Sequence, residues 1–334
     1  MKPSRIETQK KLSKHSSIDY NSNAKMSSFR TKLKDGFLEG IKKGWGSFVW
    51  ICKIVIPLSL LVAILQWTGW LNQMDFLLNP LTRLINLPPE AALPIISGML
   101  INLYAAIAII TVVPFTIGQM TLIAVFNLIA HSLIMEGIIQ HKSGMNIAKI
   151  TAIRIGAAIL TVLIVSRFLG DTSQSVTPVN LAFHTGFLDV LRGWAIGMVG
   201  LLIKIFSIVT GIMIALGCFK SLGWNDYILK FFRPLGKVFG LKEHTAMMFM
   251  AAEIFGLFYG GAVIVEEAKK EPFSREELDY LHISIGINHS MVEDPALFTV
   301  IGLPAFWMWV PKLIMAIIVV HTYRGLKYIK GRFV

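Results

Sequence analysis

The stretch GWGSFVWICKIVIPLSLLVAILQWTGWL, residues 44–71, holds one charged side chain, Lys53, in an otherwise apolar run flanked by tryptophans. An α-helix rises about 1.5 Å per residue, so about 20 apolar residues span the ~30 Å hydrocarbon layer of a bilayer. The run therefore reads as a membrane-crossing helix, placed at 47–67. Working outward, comparable runs lie near 92–113, 117–135, 146–168, 195–219, 244–265, 278–292 and 296–322. The fold class that follows is an all-α polytopic membrane protein.

Composition points the same way. Hydrophobic residues make up 54% of the 334 residues and charged ones 16%, where soluble domains carry about 25% charged residues. The seventh run, LDYLHISIGINHSMV, is short and studded with polar groups, and such a segment persists at membrane depth only inside protein or beside water. Pro57, Pro94, Pro114, Pro304 and Pro311 fall in or beside the runs, so kinked, broken or re-entrant helices are expected.

The net charge of +12 gathers at the ends, from Lys2 to Lys43 and from Arg324 to Arg332. In a membrane protein such flanks mark cytoplasmic termini, and their partners are anionic headgroups rather than nucleic acid. Residues 1–26 are polar and aperiodic and read as a disordered tail. Over 27–46, Phe29, Leu33, Phe37, Ile41 and Trp45 recur every fourth residue among lysines, the pattern of an interfacial amphipathic helix. The first 35 residues hold no apolar segment of signal-peptide type. Cys52 and Cys218 lie in separate runs and are expected as buried thiols without a disulfide or metal.

An internal repeat organises the rest. Gly36-Phe37-Leu38-Glu39 recurs as Gly186-Phe187-Leu188-Asp189, Gly44-Trp45 as Gly193-Trp194, Pro80-Leu81 as Pro234-Leu235, and Leu87 as Leu241. His131-Ser132 recurs as His289-Ser290, Glu136 as Asp294 and Arg154 as Lys312. Chance likeness between apolar helices does not align Trp, Pro, His, acid and base in one order. The chain divides into repeats at 47–185 and 186–334. After the first run, residues 70–87 hold one cation, Arg83, whereas the matching residues 224–241 hold Lys230, Arg233 and Lys237. Under the positive-inside rule these segments face opposite sides, so the repeats are inverted. Inverted repeats with broken helices are a transporter pattern, with the solute site between them near the midplane.

Residues 44–71 together with NPLTRLINLPPEAALPIISGMLINLYAAIAI, residues 79–109, resemble the nucleoside-recognition or Gate domain. That domain occurs in bacterial spore maturation membrane proteins and in the membrane part of ferrous-iron transporter B. It is also related to the gate of concentrative nucleoside transporters. The resemblance extends from about residue 36 through a second copy starting at Gly186. It implies a permease of the bacterial inner membrane with cytoplasmic termini. Residues 1–35 hold no GxxxxGK[ST] loop, and the cysteine motifs of the iron transporter gates are not found.

The candidate pathway residues follow from buried polarity. His131, Ser132 and Glu136 end the third run, and Asn288, His289, Ser290, Glu293 and Asp294 end the seventh. Ionisable groups at such depth face a cavity or one another. Helical spacing places His131 near Glu136 and His289 near Glu293, pairs suited to relaying protons or ligating a divalent cation; the alternative is that they cap helix ends at headgroup level. Arg154 and Lys312 are expected to neutralise the carboxylate of their own repeat. Lys53 and Lys204 are lower-ranked charge-pairing candidates that can instead snorkel. The second and sixth runs contribute Asn102, Tyr104, Glu253 and Tyr259, and Glu253, whose counterpart is Met99, is the leading single site. No GxSxG or HExxH pattern appears, and adjacent Ser and His on a helix point about 100° apart, so no enzyme and no cofactor are expected. The reading is a permease for a small polar solute or ion, with a homodimer plausible. The alternatives are an envelope assembly protein and a divalent metal channel.

Overall fold

The computed structural model describes residues 5–70, 82–169, 186–224, 227, 234–242, 245–246, 248–250, 252–253, 256, 264 and 273–330. Their regular elements are all helical: α1 Arg5–Trp67, α2 Ala92–Leu100, α3 Leu103–Ile110, α4 Ile117–Ala130 and α5 Leu133–Lys142, then α6 Ile147–Val165, α7 Phe187–Leu222, α8 Arg275–Asn288, α9 Glu293–Val300 and α10 Ala305–Lys330. Five described segments are long and apolar enough to cross a bilayer: Phe29–Trp67, Ile117–Lys142, Ile147–Val165, Phe187–Leu222 and Ala305–Ile329. The protein is an all-α polytopic membrane protein.

Helix α1 is where the structure departs most from the sequence reading. It is one helix across the polar tail, the amphipathic segment and the first run, since no Gly or Pro interrupts the chain between Arg5 and Asp35. Residues 27–46 are therefore a continuation of the spanning helix and lie against α7. The face of Gly36, Gly40 and Gly44 meets α7 so closely that a Cβ at Gly36 would lie 2.6 Å from the Gly217 carbonyl oxygen, and one at Gly44 2.8 Å from Thr210 Cα. Small residues permit this approach where lipid supplies no hydrophobic drive to pack helices. The stripe of Phe29, Phe37 and Trp45 remains exposed on the outer side.

The two long helices run antiparallel along their length. Ser221 Oγ donates to Lys32 O, Trp194 Nε1 donates to Ser59 Oγ at 3.2 Å, and Phe187 packs on Trp67. Since α7 repeats α1 in sequence, two copies of one element lie side by side in opposite directions. A twofold axis perpendicular to both helices relates them, and for spanning helices that axis lies in the membrane plane. The chain accordingly leaves α1 and α7 at opposite ends of the pair.

The repeat is visible elsewhere in backbone detail. Leu87 N–H donates to Thr82 O at 3.1 Å around the left-handed Asn86, and Leu241 N–H donates to Gly236 O at 3.0 Å around the left-handed Gly240. Three runs are broken. The run 92–113 divides into α2 and α3 at Asn102, whose Oδ1 accepts from Ala105 N–H at 3.0 Å and starts the second piece. The third run divides into α4 and α5 at His131-Ser132, and its counterpart divides into α8 and α9 at His289-Ser290. Capping boxes start α4 at Thr116 with Gln119, and α8 at Ser274 with Glu277. Cys52 and Cys218 are free and partly exposed rather than buried. Lys230, Arg233, Tyr259 and most of the sixth run lie outside the described residues.

Candidate functional site

The site is built from the two helix breaks. Past Ala130 the chain turns extended at His131 and left-handed at Ser132, with φ 49°. Past Asn288 it repeats the turn, with Ser290 at φ 55°. A positive φ is unusual for serine, and a tertiary bond holds each: Ser132 N–H donates to Gly98 O at 2.8 Å, and Ser290 N–H donates to Ala252 O at 3.2 Å. Each break brings a short helix N-terminus to the centre, with Glu136 in the first turn of α5 and Glu293 and Asp294 in that of α9. Carboxylates are favoured at that positive end of the helix dipole.

Across the axis the two histidines meet, with Nε2 atoms 3.3 Å apart and rings tilted 41°. Each Nδ1 lies against the carbonyl four residues back in its own helix: His131 on Asn127 O at 2.8 Å, His289 on Ile285 O at 2.7 Å. A carbonyl only accepts, so Nδ1 carries the proton in both rings. Glu136 Oε1 lies 3.2 Å from His131 Nε2 and 3.1 Å from His289 Nε2, while Asp294 Oδ2 lies 3.4 Å from His131 Nε2. All four side chains are buried. Because α4–α5 covers Ile117–Lys142 and breaks at His131, the cluster sits near the middle of that span.

Two cations close the site from behind. Arg154 of α6 donates from Nη1 to Glu136 Oε2 at 2.6 Å, from Nε to Ile129 O at 2.8 Å and from Nη2 to His131 O at 2.9 Å. Its counterpart Lys312 of α10 donates to His289 O at 3.0 Å. Each cation thus holds the carbonyl of the histidine at its own break. Glu253 is buried beside them; its Oε2 accepts from Asn288 Nδ2 at 3.1 Å, while Glu253 Oε1 and Asn288 Oδ1 have no hydrogen-bond partner among the described residues.

Several sequence expectations need correction. His289 pairs with Glu136 of the other repeat, and Glu293 instead accepts from Tyr104 Oη at 2.5 Å. Helix-face reasoning confined to one run cannot reach a pair 189 residues apart. His131 does lie by Glu136, through a break rather than along a continuous helix face. The clusters are buried inside the protein rather than exposed at helix ends. Arg154 neutralises Glu136 as expected, whereas Lys312 makes no ion pair among the described residues and spends its ammonium on a carbonyl. Lys53 and Lys204 are exposed and form no ion pair with a described residue. Asn102 acts as a helix cap.

Asn127 was not singled out from the sequence. It is buried, donates to Pro94 O and Ile123 O, and occupies the space a Cβ would need at Gly98. Its signal was an amide in the middle of an apolar run. A second charged group lies away from the axis, at the start of α8. Lys149 and Lys327 sit 2.9 and 3.4 Å from Asp279, Tyr323 Oη donates to Asp279 at 2.7 Å, and Lys242 sits 2.5 Å from Glu277. Burial alone raises the Asp279 carboxyl, but the bonds from Lys149 and Tyr323 and the lysine charges hold it below its ordinary value. The Lys242 hydrogen bond, with those from Ser274, lowers Glu277 to about 2.

No protein-family model and no solved structure matches the chain. Over 303 residues it is 26% identical to YvoD, an uncharacterized membrane protein of Bacillus subtilis (strain 168), across 88% of this chain and 97% of that one. The chain is thus similar, along nearly the whole of both proteins, to another membrane protein.

Proposed function

We propose that the protein is a bacterial inner-membrane permease of the Gate-domain type, with cytoplasmic termini, that moves a small polar solute or ion through the site between its two inverted repeats. One observation carries the reading: buried His131, Glu136, His289 and Asp294 converge at paired helix breaks in the interior of the protein. Burying charge in a bilayer is costly, and membrane proteins place it where a solute or ion must be met. Broken helices whose N-termini and freed carbonyls turn to one central point have the form of a transporter binding site. A bundle held together only by apolar packing needs none of these groups.

The test is reconstitution of the purified full-length chain in liposomes, with fluxes of protons, inorganic cations, nucleosides and amino acids each followed against protein-free vesicles. Flux of one class, lost in Glu136→Gln while the protein remains folded, is the expected result. A folded, correctly inserted protein that moves none of these classes faster than protein-free vesicles overturns the permease reading.

A further inference from the structure

The central cluster holds lone pairs with nothing between them. Both Nδ1 atoms carry a proton, so in the neutral form each imidazole presents a bare Nε2 to the other. Glu136 Oε1 makes a third lone-pair atom, and the three sides of the triangle are 3.1, 3.2 and 3.3 Å. Asp294 Oδ2 lies 3.4 Å from His131 Nε2 and has no hydrogen-bond partner among the described residues. Acceptors so packed repel one another unless a positive charge sits among them.

We infer that His131 Nε2, His289 Nε2 and Glu136 Oε1 form a three-ligand binding site for one divalent transition-metal cation of the zinc class, with the fourth position left to water or solute. The geometry fits the size of such an ion. Zinc binds histidine nitrogen and carboxylate oxygen at about 2.0–2.2 Å, and in a tetrahedron this puts neighbouring ligand atoms about 3.3–3.6 Å apart. The observed edges of 3.1, 3.2 and 3.3 Å reach the lower bound of that range or fall up to about 0.2 Å short of it. Three ligand atoms gather within 4.8 Å of one another, all on buried residues.

The surroundings complete the site in the way metal centres require. Each ligating ring has its second nitrogen bonded to a backbone carbonyl, which fixes tautomer and orientation. Arg154 holds the other oxygen of Glu136 at 2.6 Å, leaving Oε1 directed at the histidines. Around the point stand the carboxylates Glu136, Asp294, Glu253 and Glu293 and the cations Arg154 and Lys312. Two imidazole nitrogens favour zinc, cobalt, nickel or iron over calcium and magnesium, which take mostly oxygen ligands.

The inference names the ion class for the site proposed above, and it is tested by binding rather than flux, so the two can fail separately. The full-length protein, purified in detergent and freed of metal with chelator, is titrated with Co(II). One ion per chain is expected, with the visible absorption of four-coordinate Co(II), displaced by Zn(II). X-ray absorption of the bound cobalt in the wild type should show two imidazoles, a reading that needs no variant to fold. His131→Ala and His289→Ala should each weaken binding at least about 100-fold, beyond what loss of a supporting group costs, and His141→Ala should leave it unchanged. Failure of the metal-free wild type to take up Co(II), a spectrum without imidazole, or equal loss in His141→Ala overturns the site. Bound metal with no flux retains this inference and removes the permease reading; flux with no bound metal does the reverse.

Discussion

Replacing Arg154 by Met keeps the length and apolar stem of the side chain and removes its charge and donors. Arg154 is 1% exposed, and among the described residues it is the one ion-pair partner of Glu136 that carries a fixed charge. Breaking a buried pair by removing one member costs about 3–5 kcal/mol, because the remaining charge is stranded. The carbonyls of Ile129 and His131 lose their donors as well, each worth about 1–3 kcal/mol if left unsatisfied. Relaxation overlaps these losses, so we expect at least about 4 kcal/mol, a large part of the roughly 5–15 kcal/mol that holds a domain folded. Adding Glu136→Gln should recover about 2 kcal/mol by neutralising the stranded charge, a coupling that a double-mutant cycle isolates. Unfolding by SDS titration in mixed micelles measures both. A cost below about 1 kcal/mol for Arg154→Met, or a double variant weaker than the single, would refute the view that the pair holds the break together.

Glu253→Gln retains the Asn288 contact, removes the titratable carboxyl and supplies a donor near Asn288 Oδ1, which has no partner among the described residues; thermal stability should hold or rise while liposome flux is lost, and a lower melting temperature with intact flux makes Glu253 structural. Gly40→Ala drives a Cβ into the α7 backbone at Met213 and Ile214, whereas Gly46→Ala meets open space; the first should cost about 1–3 kcal/mol and the second should cost nothing, and equal costs contradict the tight α1–α7 contact. Glu277 titrates near 2 in the fold against about 4.5 unfolded. A lowered pKa stabilises above the unfolded value, and that contribution is lost as pH falls from about 4.5 toward 2. Melting curves across this window should therefore drop less steeply in Glu277→Gln than in the wild type.

Much of this arrangement was legible in the sequence because duplication is a long-range signal that survives without coordinates. The matched pairs His131–His289 and Arg154–Lys312 named the residues that surround the axis. The contacts themselves were not legible. The turns at Ser132 and Ser290 depend on carbonyls of Gly98 and Ala252 about 35 residues away, and no local pattern marks a left-handed serine as a helix break. Read as a continuous helix, each histidine belongs to its own repeat. Once the helix is broken, the ring turns across the axis, and partners such as Glu136 and His289 come from different halves. The extent of α1 escaped for the opposite reason. Polarity separated its tail from its apolar run, but hydrogen bonding along a helix is indifferent to that change.

The antiparallel pairing of α1 with α7 has a consequence for direction. An axis lying in the membrane plane exchanges the two aqueous sides, so a site on that axis looks alike from above and below. Left and right hands of the chain are interchangeable there, apart from a few substitutions such as Met99 for Glu253 and Arg154 for Lys312. Symmetry of this kind builds in no preferred way through. On the permease reading proposed above, the unmatched pairs Glu136 with Arg154 and Asp294 with Lys312 break that likeness and decide how evenly the two exits are poised.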